Sequence, residues 1–148
     1  MKIYVASDHA GFELKNKLVD FLRKSNYSVI NLGPYKYNKN DDYVDYAKKL
    51  CKELLKDKNA KGILICGTGQ GMCVAANKFR GIYAAPCWNK LTARLAAEHL
   101  NANVLCLGAW TVSFRKAKKL VKIWLSSKFS AEEKRKRRLR KIKMLERK

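Results

Sequence analysis

Acidic and imidazole side chains are scarce in this chain: 12 aspartates and glutamates and two histidines stand against 33 lysines and arginines. So few histidines, with no close Cys/His cluster, leave a structural zinc site without ligands, and the same gap argues against any bound transition metal. The five cysteines form no C-x-x-C pair, and their number is odd. Cys51, Cys66, Cys73, Cys87 and Cys106 lie mostly inside apolar runs, the pattern of buried, reduced thiols and not of a disulfide framework. Nowhere do apolar residues continue for the roughly 18 positions that a bilayer crossing requires. The apolar N-terminal run also breaks at Asp8, too early for a signal peptide, so a cytoplasmic protein is expected.

Positive charge is what the chain has in abundance. A net charge of +21 draws polyanions at low salt without naming a partner. From 128 to 148, eleven Lys/Arg face three Glu, leaving 22 basic and nine acidic residues upstream, so both parts are basic. The run K-R-K-R-R-L-R-K-I-K at 134–143 raises nucleic-acid binding as a function. Base reading, however, needs interleaved aromatics or a recognition helix, and the tail shows neither. Non-specific contact through the tail is the expectation.

A chain of 148 residues, 47% hydrophobic, suits one domain with a real core. Residues 2–7, K-I-Y-V-A-S, read as a buried strand that enters a helix after Asp8-His9 and Gly11. Leu14, Leu18, Phe21 and Leu22 recur at helical spacing, and Tyr27–Leu32 forms a second strand ending at Gly33-Pro34, which completes one βαβ unit. Residues 35–42 read as an exposed loop and 43–56 as a helix. Strands follow at 62–66, 82–86 and 104–108, with helices near 72–78 and 89–99, and Ala117, Leu120, Val121 and Trp124 mark another. This alternation predicts an α/β, Rossmann-like three-layer sandwich: a five-stranded parallel sheet with helices on both faces. Ser130 and Glu133 make a capping box for a last, basic helix over about 130–147. Leu139, Ile142 and Leu145 give that helix a narrow apolar stripe, suited to lying across a partner subunit.

The stretch that carries chemistry is I-L-I-C-G-T-G-Q-G-M-C-V-A-A-N at 63–77, where a buried strand ends in Cys66 and a glycine-rich turn opens a helix. Ligands of open parallel sheets bind at such strand ends. Gly67, Gly69 and Gly71 allow close backbone approach, and exposed N–H groups there attract an oxyanion. The spacing G-x-G-x-G is neither the dinucleotide fingerprint nor a P-loop, so no nucleotide cofactor is expected. Amide donors beside Cys66 would lower its thiol pKa; the plain alternative is a small apolar residue filling a strand end. Asp8 is read either as a helix cap or as a site residue, because adjacent first and third strands would bring Asp8-His9 beside Cys66-Gly67. His99 could equally complement the negative end of its own helix.

The segments S-D-H-A-G-F-E-L-K (7–15), D-Y-V-D-Y-A (42–47), G-I-L-I-C-G-T-G-Q-G-M (62–72), A-A-N-K (75–78) and A-N-V-L (102–105) together resemble ribose-5-phosphate isomerase B and its relatives over essentially the whole chain. The resemblance implies aldose–ketose isomerisation through an enediolate without metal or organic cofactor, in a homodimer or dimer of dimers with shared active sites. It implies Cys66 as the base, His99 in ring opening, and Gly67, Thr68, Gly69, Gln70 and Gly71 around the enediolate oxygen. Asp8 and Thr68 would bind sugar hydroxyls, and His9, Lys134 and Arg138 the phosphate. Three departures stand out: Leu100 where the family usually has Asn, Trp110 where it usually places a phosphate-binding arginine, and one extra residue near Glu132-Glu133 that could move the phosphate contact to Arg135 or Arg137. They leave open a six-carbon substrate, allose 6-phosphate or galactose 6-phosphate, and Trp110 alone would suit a non-catalytic sensor.

Overall fold

Strongly β-branched runs and amphipathic helices alternate along the chain, and the computed structural model, which describes residues 1–146, shows how they close. Five strands form one sheet: β1 (Lys2–Ser7), β2 (Ser28–Asn31), β3 (Lys61–Cys66), β4 (Ala84–Pro86) and β5 (Val104–Gly108). Their order is β2-β1-β3-β5-β4, and every pairing is parallel. The helices are α1 (Phe12–Lys24), α2 (Tyr43–Leu54), α3 (Gln70–Ala76), α4 (Lys90–Glu98), α5 (Phe114–Ser126) and α6 (Glu133–Leu145). The α/β three-layer architecture read from the sequence is the one observed.

Side-chain alternation along each strand splits the core in two. Ile3, Val5, Ile63, Ile65, Leu105 and Leu107 pack under α1, α4 and α5, with Trp124 wholly buried. On the opposite face Tyr4, Ala6, Leu64, Cys66, Val104 and Cys106 pack under α2 and α3. Each such aliphatic side chain contributes about 1.5–3 kcal/mol on burial. All five cysteines are buried and unpaired with one another. No helix among the described residues is long and apolar enough to cross a membrane.

Several boundaries differ from the sequence reading. β4 starts at Ala84, not Ile82, because Tyr83 donates its N–H to Asn103 Oδ1 at 2.8 Å instead of joining the ladder. The Ser130–Glu133 capping box does not form. α6 begins at Glu133 behind Glu132, with no side-chain cap, since Ala131 takes φ 54° and Ser130 N–H donates to Glu98 O at 3.0 Å. The 35–42 loop is exposed except at its end, where the Asp41 side chain retains 6% of its exposure.

Candidate active site

The C-terminal ends of β1, β3 and β5 lie side by side. Because β1 and β3 are neighbours with Ser7 opposite Ile65, the chain leaves both strands side by side. Asp8 N–H donates to Ile65 O at 3.2 Å, and Asp8 is buried. The turn after β5 is tied to the same place: Ala109 N–H donates to Cys66 O at 2.8 Å and Trp110 N–H to Gly67 O at 2.9 Å.

Cys66 Sγ accepts the N–H of Gly69 at 3.2 Å. Among the described residues it is the one thiol that accepts a main-chain N–H; burial instead pushes Cys51 and Cys87 up to about 12. Gly69 takes φ 81°, a conformation that side chains rarely adopt, and caps α3. Thr68 and Gln70 are exposed, and Gln70 N–H donates to Thr68 Oγ1 at 3.4 Å. First-turn N–H groups of a helix lack intrahelical partners, so this turn presents donors around the sulfur. Two aromatic rings lie against the glycine turn. A side-chain carbon on Gly67 would lie 2.7 Å from the Trp110 ring, and one on Gly71 the same distance from the Tyr43 ring.

Asp8 Oδ1 accepts Gly11 N–H at 3.1 Å, three residues ahead of the position a helix cap would hold, and α1 is capped by Gly11 instead. Burial raises the Asp8 carboxyl above its ordinary range, against the lowering effect of the Gly11 bond. His9 Nδ1 lies 2.7 Å from Asp41 Oδ1, and this bond holds the imidazole above the usual histidine value. Asp8, His9 and Asp41 bring candidate metal-ligand atoms within 4.8 Å of one another. Within that set His9 Nδ1 is bonded to Asp41 Oδ1 and Asp8 Oδ1 to the Gly11 N–H.

His99, Lys134 and Arg138 lie elsewhere. α4 runs back from the end of β4 to the start of β5, so His99, its C-cap, sits at the opposite edge of the sheet. Cys66 is four residues from Gly62, whose N–H meets Asn103 O, and at about 3.3 Å per residue that separates the two edges by about 13 Å. α6 lies along the same far edge. It is tied at its start through Ser130 to Glu98, and at its end by Arg80 Nη2 donating to Glu146 O at 2.6 Å. Lys134, Arg137 and Arg138 are exposed there, with Arg135 half-buried, and Leu100 and Trp110 are both exposed. Sequence reasoning missed Asp41, Tyr43 against the glycine turn and the buried Lys15. Of these, Tyr43 and Lys15 lay in quoted motifs, whereas Asp41 ends a loop without periodicity.

Comparison with known proteins identifies the family and the fold. A family model described as Ribose/Galactose Isomerase matches residues 3–142. A probable ribose-5-phosphate isomerase B of Mycoplasma pneumoniae is 46% identical over 127 residues, 86% of this chain and 84% of the relative. The D-erythrulose-4-phosphate isomerase of Pectobacterium atrosepticum is 36% identical over 129 residues, 87% of this chain and 85% of that one. A crystal structure of ribose-5-phosphate isomerase B from Mycoplasma genitalium with bound ribulose-5-phosphate superposes with a TM-score of 0.95 at 40% identity, covering 99% of this chain and 97% of that one.

Proposed function

As a chain that belongs to the ribose/galactose isomerase family, this protein is a sugar-phosphate isomerase, and we propose that it interconverts ribose 5-phosphate and ribulose 5-phosphate with Cys66 as the base. The observation that carries this reading is the Cys66 sulfur at a strand end, bonded to the Gly69 amide inside a glycine-rich turn. Aldose–ketose exchange needs a base beside an acidic carbon and fixed donors for the developing oxyanion. The thiolate takes the proton from C2, and negative charge moves to the oxygen at C1, where the Gly67–Gly71 amides receive it. The sulfur then returns that proton to C1 while a hydroxyl proton passes from O2 to O1, so the ketose is an isomer with nothing gained or lost. No metal or organic cofactor takes part.

Asp8 and Thr68 bind the sugar hydroxyls and His9 the phosphate. His99, Lys134 and Arg138 serve ring opening and phosphate binding from a second copy of the chain. Their place at the far edge of the sheet supports that arrangement, because one copy cannot bring them to its own Cys66. A twofold pair of copies would build two such shared sites.

Purified protein should interconvert the two pentose phosphates without added metal, faster than four- and six-carbon sugar phosphates. Cys66→Ala should cut turnover by about a hundredfold or more. Unchanged turnover in that variant would remove Cys66 as the base.

A further inference from the structure

We propose that Asp41 is the positioning residue of His9, fixing its imidazole so that Nδ1 is spent and Nε2 is left as the donor to the substrate phosphate. The proposal rests on the assignment of His9 to phosphate binding made above.

A single oxygen, Asp41 Oδ1, accepts both the main-chain N–H of His9 at 3.0 Å and its Nδ1 at 2.7 Å. Two bonds from one residue to one acceptor fix the backbone and the ring together and keep a proton on Nδ1, so that the charged ring has Nε2–H as its free donor. The histidine side chain keeps 33% of its exposure, whereas that of Asp41 keeps 6%. Asp41 Oδ2 is buried without a hydrogen-bond partner among the described residues. A carboxylate so poorly solvated is costly unless a positive partner stands against it. The imidazolium is that partner.

The loop that delivers Asp41 is fastened at its root. Lys15, fully buried, donates from Nζ to Pro34 O at 2.7 Å and to Asn31 Oδ1 at 3.1 Å. Asn31 Oδ1 also accepts Gly33 N–H at 2.9 Å. Burial lowers the Lys15 ammonium to about 8, so this anchor is held against a desolvation cost. Midway along the loop, the Tyr37 ring meets Phe12 edge-on at 6.1 Å and His9 at 6.3 Å. The loop is thus pinned by a lysine, by an aromatic contact and by the Asp41–His9 pair.

The titratable groups facing the His9 ring are Asp41, Asp8 and Tyr37. Both carboxylates favour the imidazolium, so His9 stays charged to higher pH than a free histidine. A charged Nε2–H bond to a phosphate dianion is shorter and stronger than a neutral one. Affinity for the phosphate therefore falls as pH rises through the elevated His9 value.

The test is Asp41→Asn, which keeps the side chain's size and removes its charge. With two histidines in the chain, both ring titrations can be followed by NMR in the parent and the variant, a His9→Gln sample assigning them. The His9 pKa should fall in Asp41→Asn. With ribose 5-phosphate, KM should rise about tenfold with kcat nearly kept, and the pH at which KM begins to climb should move down. In an active parent, an unmoved His9 titration overturns the proposal. So does a moved titration with unchanged KM, since the ring then does not serve the phosphate. An inert parent enzyme overturns the functional assignment itself, and is recognised before any variant is made.

Discussion

At the scale of single residues, the thiols divide by environment. Cys51 and Cys87 keep their protons because burial raises them from 9.0 to about 12. In the unfolded chain they ionise near 9, so the stability they contribute is full below that pH and is lost as pH climbs toward 12. Each should cost about 1.4 kcal/mol per pH unit over that window. Cys51→Ala and Cys87→Ala should each flatten the alkaline fall of unfolding free energy relative to the parent, as measured by urea denaturation between pH 8.5 and 10.5. Equal slopes in parent and variants would show that these thiols do not stay protonated. Lys15 pulls the opposite way, since a lowered folded value makes the chain gain stability as pH rises through about 8, and comparing variant with parent cancels it. Cys66 was legible in the sequence through the glycines that follow it. Asp41 was not, because its function depends on a contact 32 residues away that no periodicity records.

Among the elements, the capping of two helices makes a direct contrast. Asn89 Oδ1 accepts Thr92 N–H at 2.8 Å and Thr92 Oγ1 accepts Asn89 N–H at 3.2 Å, a closed capping box at the start of α4. Ser130, spaced for the same motif ahead of α6, caps nothing. Asn89→Ala should lower stability by about 1 kcal/mol, and Ser130→Ala should stay within about 0.5 kcal/mol of the parent. A Ser130→Ala loss as large as that of Asn89→Ala in chemical denaturation would contradict the observed α6 start. The sheet and its helices were readable because long apolar repeats leave few alternatives. The missed boundaries lie where a tertiary bond outbids the local pattern, as when Tyr83 chooses the Asn103 side chain and Ser130 N–H chooses Glu98.

For the whole molecule, the separation of Cys66 from His99 governs what a single copy can do. If active sites are shared, Cys66→Ala and His99→Ala chains are each inert alone. Mixed and allowed to exchange, they should recover about a quarter of parental turnover, since half the pairs are mixed and each mixed pair holds one intact site of two. A mixture as inert as its parts, with exchange verified by mass, would place every catalytic group within one chain. The sheet's edges were implicit in the βαβ order, but the sequence could not say that α6 is tied along the far edge by Glu98 and Arg80. Those ties join residues dozens of positions apart, and α6 buries none of its own side chains.

The three tryptophans also sit at graded depths: Trp124 sealed, Trp88 53% exposed and Trp110 75% exposed. Only the outermost indole rests on Gly67, the residue after Cys66. The molecule therefore carries a native fluorophore at that turn, and arrival of a sugar would be written in the colour of its emission without any label being attached.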